Sequence, residues 1–162
     1  MNAADITYRH AVEPDDSGRI RSIVESSEFF NPEEIEVAVE LVVERLTKGE
    51  KSGYHFIFAE MDGRTVGYTC FGPIAGTQCS FDLYWIAVDN GSRGEGIGKG
   101  LLKKTEEAIR EMNGRRIYIE TSSRERYVPT RAFYVKNAYR LEASIKDFYA
   151  PGDSKNIYIK EI

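Results

Sequence analysis

Arg93-Gly94-Glu95-Gly96-Ile97-Gly98-Lys99-Gly100 is the stretch whose residue types and spacing point most directly to chemistry. Four glycines at alternate positions let the backbone bend tightly and bring its N–H groups close to a ligand; a packed core has no use for them. The segment follows the apolar run Leu83-Tyr84-Trp85-Ile86-Ala87-Val88 and leads into a helical pattern that starts with Leu101-Leu102. Amide hydrogens at a helix start, together with the positive end of the helix dipole, suit a phosphate or another anion. Two nucleotide motifs fail on spacing. A Walker A loop needs Gly-x-x-x-x-Gly-Lys before Ser or Thr, yet Arg93 stands where the first glycine should be and Gly100 follows Lys99. A dinucleotide fingerprint needs a third glycine where this chain has Lys99 or Leu101. A turn without a ligand needs one or two glycines, not four.

Two carboxylates are the next candidates. Glu120 closes the run Ile117-Tyr118-Ile119-Glu120, and Asp82 stands just before Leu83. A charge in a mostly apolar strand is more informative than one on a helix face. His10 and His55 fall in predicted strands far from Cys70 and Cys79, so nothing has metal-ligand spacing. The two cysteines lie in predicted neighbouring strands, where a cross-strand pair is conceivable; two reduced thiols are the favoured reading.

The elements that must position these groups form one α/β domain over residues 1–162, a length sufficient for a sizeable core. The formal net charge of −4 gives no global basic field for nucleic acid, and it mildly suits cationic amines. No apolar run approaches the roughly 20 residues of a membrane helix. Met1–Asp5 lacks the basic and apolar regions of a signal peptide, so a cytoplasmic location is expected. The periodicity predicts a strand at Ile6–Val12 and a helix opened by Pro14-Asp15-Asp16. A second helix is capped by Asn31-Pro32-Glu33-Glu34, carries the stripe Ile35, Ala38, Val39, Val42 and Leu46, and stops at Gly49. Strands at Tyr54–Glu60 and Thr65–Phe71 flank the hairpin pair Asp62-Gly63, and a third spans Cys79–Asp89. A helix with Ile97, Leu101, Ala108, Ile109 and Met112 on one face ends at Asn113-Gly114. A parallel strand at Arg116–Thr121, a short helix at Thr130–Asn137 and strands at Tyr139–Asp147 and Asn156–Ile162 complete the chain.

The pattern Arg-x-x-Gly-x-Gly between a strand and a helix, here Arg93 to Gly98, resembles the acetyl-CoA pyrophosphate loop of the GNAT superfamily of N-acyltransferases. Trp85-Ile86-Ala87-Val88-Asp89 is similar to that family's preceding strand. Ala132-Phe133-Tyr134-Val135-Lys136-Asn137-Ala138-Tyr139 is similar to its Ala-x-Leu-Tyr-x-x-x-Gly-Phe helix. The resemblance is strong from about residue 80 onward and topological before it; the second half is most similar to the ribosomal-protein alanine N-acetyltransferases.

The resemblance implies the acyl-CoA N-acyltransferase fold: a mixed, mostly antiparallel sheet in the order β-α-α-β-β-β-α-β-α-β-β, with the parallel strands Leu83–Val88 and Ile117–Thr121 splayed apart. It implies acetyl-CoA as co-substrate. The pantetheine arm would pair with Ile86 and Val88, flanking Ala87, and the pyrophosphate would lie on N–H groups of Arg93, Gly94, Glu95, Gly96, Ile97, Gly98 and Lys99. The N–H of Val88 would hold the carbonyl oxygen, and Tyr134 would protonate the departing thiolate. Glu120 matches the base of the alanine N-acetyltransferases, and Asp82 the catalytic Glu of histone-type members; Glu120 could equally pair with Arg124, Arg126 or Arg131. Phe148-Tyr149 matches a Tyr-Tyr pair that touches the acceptor in N-terminal acetyltransferases, with one hydroxyl lost. Ala138 replaces a family glycine, and Asn137 is expected to take the left-handed cap. Arg124–Thr130 forms a longer loop than the family's.

The expected activity is acetyl transfer to a primary amine through a ternary complex, without metal or covalent enzyme intermediate. Phe148 and the altered loop favour a small-molecule amine over a protein N-terminus. A non-catalytic acyl-CoA sensor on the same fold, or a nucleotide-phosphate binder of another fold, are the rivals. No nucleic-acid or membrane partner is expected. Homodimers are common in the family, and these residues do not decide the matter.

Overall fold

In the computed structural model, which describes residues 5–162, local signals set most element boundaries. Helix α1 spans Asp16–Ser26 and α2 spans Pro32–Lys48. At the start of α2 the Asn31 side chain accepts the Glu34 amide at 2.8 Å while the Glu34 carboxylate accepts the Asn31 amide at 2.8 Å. This reciprocal cap satisfies two donors that a helix start leaves open, and Gly49 at φ 63° closes the other end. Strands β1 (Ile6–Arg9), β2 (His55–Met61) and β3 (Arg64–Pro73) follow one another antiparallel. The β2–β3 turn has Asp62 and Gly63 at φ 51° and 75°, the two left-handed residues that a tight hairpin requires. β1 ends at Arg9, so His10 lies beyond the strand.

Strand β4 (Ser80–Val88) leads through a short turn to α3 (Ile97–Glu111); β5 (Arg116–Ser122), α4 (Val128–Lys136), β6 (Arg140–Ala150) and β7 (Asp153–Glu161) complete the order. The sheet runs β1-β2-β3-β4-β5-β7-β6, a seven-stranded mixed sheet. β4 and β5 are parallel, and their ladder joins Ser80–Asp82 to Arg116–Tyr118. β6 and β7 extend further toward each other than their periodicity suggested, because Pro151-Gly152, with Gly152 at φ 80°, turns the chain within two residues.

The chain divides into two compact units, each built from two segments. The first contains the residues up to Gly72 with Trp85–Ala108, the second Pro73–Tyr84 with Ile109–Ile162. The first unit packs Ile20, Ile23 and Val24 of α1 and Ala38 and Val42 of α2 against Phe56, Phe58, Tyr68 and Cys70. Leu46, expected on the α2 stripe, is exposed in the last turn, and Leu41 packs against the core instead. Ile97, Leu101, Ala108 and Ile109 of the expected α3 face are buried, and Leu102 joins them; Met112, just past the helix, is exposed. The buried Thr105 hydroxyl is held by Thr69 and by the Leu101 carbonyl, each at 2.8 Å. Both cysteines are free; Cys70 is buried, which pushes its thiol pKa well up.

The second unit centres on Phe81, Leu83, Ile109, Ile117, Ile119, Tyr134, Tyr139 and Tyr158. Gly114 is needed there: a Cβ would lie 2.3 Å from Ile109 and 2.8 Å from the Phe81 ring. The left-handed residue after α4 is Ala138, at φ 69°, and not Asn137. The Asn137 side chain donates to the Phe133 carbonyl at 2.8 Å, which holds Asn137 at φ −97° and passes the reversal to Ala138.

Candidate active site

In the first unit, hydrogen bonds fix the chain just ahead of the glycine loop. The Asp89 amide donates to Val66 at 2.8 Å, and the Asn90 amide to the Ser26 hydroxyl at 3.1 Å. Gly94 and Gly96 then adopt φ 85° and 76°, and a Cβ on either would meet nothing within 4 Å. These two glycines are needed for their left-handed backbone and not for close packing. The Gly100 amide makes an i−4 bond to Gly96 at 3.0 Å. Helix geometry therefore leaves the amides of Ile97, Gly98 and Lys99 without an i−4 carbonyl, at the positive end of α3. Buried Ile97 anchors the turn, while Arg93, Glu95 and Lys99 are exposed. A left-handed double bend feeding a helix start fits a pyrophosphate.

Gly100 is different from its neighbours. A Cβ there would lie 2.0 Å from the Tyr8 hydroxyl oxygen, so this glycine lets β1 pack against α3. The expectation that none of the four glycines serves packing is wrong at this position. Gly67 works in the same way, bringing β3 close to the Ala87 carbonyl and to Leu101, each 3.0 Å from a Cβ placed at Gly67. Ala87 is buried, with Ile86 and Val88 half-buried on either side.

The chemistry-bearing side chains of the second unit meet on one sheet face. Asp82 pairs in register with Tyr118, Glu120 with Ile157 and Ser122 with Lys155. Side chains alternate along a strand, so Asp82, Tyr118, Glu120, Ile157 and Lys155 point the same way. Asp82, Leu83, Tyr84, Glu120 and Tyr149 line a cavity of about 250 Å³. Glu120 pairs with Lys155, which was not among the partners considered for it. Its Oε1 lies 2.9 Å from Lys155 Nζ, while Arg124 bonds Asp153 at 3.0 Å and Arg131 donates to the carbonyls of Ser122 and Arg124 at 2.9 Å. Lys155 Nζ also lies 4.3 Å from the centre of the Phe148 ring. Lys155 escaped notice in the sequence because the strand was started at Asn156; alternation carried one residue back would have aligned it with the acidic face.

Burial pushes the Asp82 carboxyl up to about 6, the Glu120 charge adds to the rise and the Lys155 ammonium opposes it. The Tyr149 hydroxyl is also raised, by burial first and then by Glu120 and Asp153. Asp153 is buried and accepts from the Ser122 hydroxyl and Arg124, which anchors the start of β7. Tyr134 is 5% exposed and packs its ring near Phe133, Tyr139 and Tyr158, with centroids 5.7 to 6.1 Å apart; burial raises its hydroxyl pKa. Tyr134 is not among the residues lining the carboxylate cavity. A wider cavity of about 460 Å³ in the first unit, near Asp15, Arg19 and Arg64, contains none of the expected site residues.

The fold is shared with proteins of known structure. The model of the acetyltransferase (GNAT) family matches residues 20–139. The chain belongs to the GNAT family of acetyltransferases, which use acetyl-CoA. It is 43% identical to a GNAT-family protein of known structure from Desulfovibrio desulfuricans, covering 97% of this chain and 99% of that one, with a TM-score of 0.95. It is 38% identical to the blasticidin-S acetyltransferase of Streptomyces morookaense over 50% of this chain and 55% of that protein, so it spans about half the length of that relative. The PaiA N-acetyltransferase of Thermoplasma acidophilum, solved with coenzyme A, shares the fold at 18% identity and a TM-score of 0.73, with 98% and 99% of the two chains covered.

Proposed function

We propose that the protein transfers the acetyl group of acetyl-CoA to a primary amine by direct attack in a ternary complex, and that the acceptor is a small cationic molecule. The amides of Ile97, Gly98 and Lys99, reached through the bends at Gly94 and Gly96, would hold the pyrophosphate. Arg93 and Lys99 would add positive charge. The N–H groups of Ile86 and Val88 would bind the pantetheine arm and the carbonyl oxygen, as an added strand binds a sheet edge. Acetyl-CoA supplies the thioester.

Amine attack needs a free lone pair, so the ammonium must first lose its proton. In this reading Asp82 is the acceptor of that proton. A carboxyl raised to about 6 is ionised at neutral pH yet basic enough to take a proton, whereas Glu120 has an oxygen engaged by Lys155. Asp82 is one methylene shorter than the glutamate of histone-type members, so water would complete its reach. Tyr134 would return a proton to the leaving thiolate. Its raised pKa keeps the hydroxyl protonated and able to donate. The observation that carries this reading is the cavity in which Asp82, Glu120 and Tyr149 converge. Two carboxylates against one ammonium leave it acidic, and aromatic walls favour a cation further. The relative named for blasticidin S, and not for a protein, supports a small-molecule acceptor.

The test is CoA release with a panel of small cationic amines and of peptides with free N-termini. Turnover on small amines, lost in Asp82→Asn, is the expected result. Turnover on peptides alone would move the acceptor to a protein N-terminus. Tight CoA binding without turnover on any amine would make the protein a sensor.

A further inference from the structure

Lys155 occupies a central place on the acidic face, yet the transfer reaction as described gives it no task. Its side chain is 14% exposed, and its ammonium lies 2.9 Å from Glu120 Oε1 and 4.3 Å from the Phe148 ring centre. A carboxylate on one side and an aromatic ring on the other hold one cation in place. Lys155 stands in register with Ser122, one step along the same face from the Glu120–Ile157 pair, so β5 and β7 fix its backbone as well.

We propose that Lys155 is a positioning residue that divides the work of two neighbouring carboxylates: it holds Glu120 as a paired anion and leaves Asp82 as the open proton acceptor of the cavity. The inference rests on the reading of Asp82 as the base. Two carboxylates on one face of a cavity compete for ionisation, and without a counter-charge one of them retains its proton. Asp82 is the more buried of the two, since Glu120 has a side chain 48% exposed. Asp82 would therefore be the one to stay protonated, and a protonated Asp82 cannot accept the proton of the amine. The Lys155 charge opposes this and leaves more of Asp82 ionised at neutral pH.

The other titratable groups that face this site come from every strand around it. β4 brings Tyr84, β5 brings Tyr118 and β6 brings Tyr149, all phenols. On β7, Asp153 is taken up by Ser122 and Arg124. On β6, Asp147 accepts the Gly152 amide at 2.8 Å. On β5, Arg116 bonds Tyr118 and interacts with Glu161. Burial is the largest cause of the raised Asp82 pKa, and among the charges that act on it Glu120 and Lys155 oppose one another.

The experiment titrates the Asp82 carboxyl carbon by NMR in the free protein and, separately, measures the acid limb of the pH–rate profile. Lys155→Met should move both upward by about one pH unit. Lys155→Arg should restore most of that shift. Glu120→Gln should move the Asp82 titration downward, and the double variant Glu120→Gln/Lys155→Met should return it near the parent value, because the opposing charges are removed together. Thermal melts of each variant confirm that folded protein is compared. An Asp82 titration that does not respond to Lys155→Met overturns the inference. A titration that moves beside a rate limb that stays fixed leaves the control by Lys155 standing and instead overturns Asp82 as the base.

Discussion

Asp16 in the first unit and Asp82 in the second are both carboxylates drawn away from water, and their proton affinities move in opposite directions. At Asp16, burial favours the neutral acid, but Arg9, the Glu13 amide and Arg19 outweigh it, and the pKa falls. Those partners lie at 2.8 and 2.9 Å for Arg9, 2.7 Å for the amide and 2.9 Å for Arg19. At Asp82, burial prevails, Glu120 adds to it, and Lys155 compensates only in part. A carboxylate surrounded by donors holds a helix start to a strand. A carboxylate with too few donors is left with basicity to use.

The sharpest way to break this contrast is to remove both charges in turn. Asp82→Asn should lower kcat/KM by about 100-fold or more, the usual contribution of a general base. It should leave the affinity for acetyl-CoA unchanged by calorimetry. The same variant should be more heat-stable than the parent above pH 6 and no different below about pH 4. The sign follows from linkage: the folded pKa of about 6 lies above the unfolded one, so ionising Asp82 costs stability as pH rises through that window. Asp16→Ala should do the opposite. It should cost about 3 kcal/mol in denaturant melts at pH 7, because Arg9 loses its buried partner, while kcat changes little. The Asp16 contribution is present above the ordinary carboxylate range and disappears as pH falls below it, since its folded pKa is the lower one.

Smaller effects sharpen a second contrast, between glycines that bend and glycines that pack. Gly96→Val should weaken acetyl-CoA binding about tenfold, in keeping with a strain of about 1–2 kcal/mol for a side chain at positive φ. It should also lower the melting temperature, because the folded chain carries that strain. Gly100→Val should lower stability by about 1–3 kcal/mol through the clash with Tyr8. The smallest expected effect is a gain: Ala138→Gly should stabilise the protein by about 1 kcal/mol in chemical denaturation, by relieving a left-handed alanine.

These contrasts also explain what could be read from the sequence. The cap at Asn31–Glu34, the Asp62-Gly63 turn and the bends at Gly94 and Gly96 are encoded by neighbouring residues, so spacing revealed them. The carboxylate face draws on β4, β5, β6 and β7, and its ion pair joins Glu120 to Lys155 across 35 positions. No local pattern announces such a pair. The role of Gly100 depended likewise on Tyr8, a residue of β1 distant in sequence. The reversal between Asn137 and Ala138 turned on one side-chain hydrogen bond, which propensity alone could not supply.

The strand order β5-β7-β6 has a kinetic consequence. β6 is made before β7, yet it has no pairing with β5, and β7 must insert between the two. Until Asp153–Glu161 arrives, β5 and β6 both present unpaired edges, and Leu141, Ile145, Phe148 and Tyr149 lie exposed even afterwards. Refolding of the second unit therefore waits on one late, non-local event, and aggregation competes with it during that interval. Dilution during refolding should raise the yield of native protein more than lower temperature does.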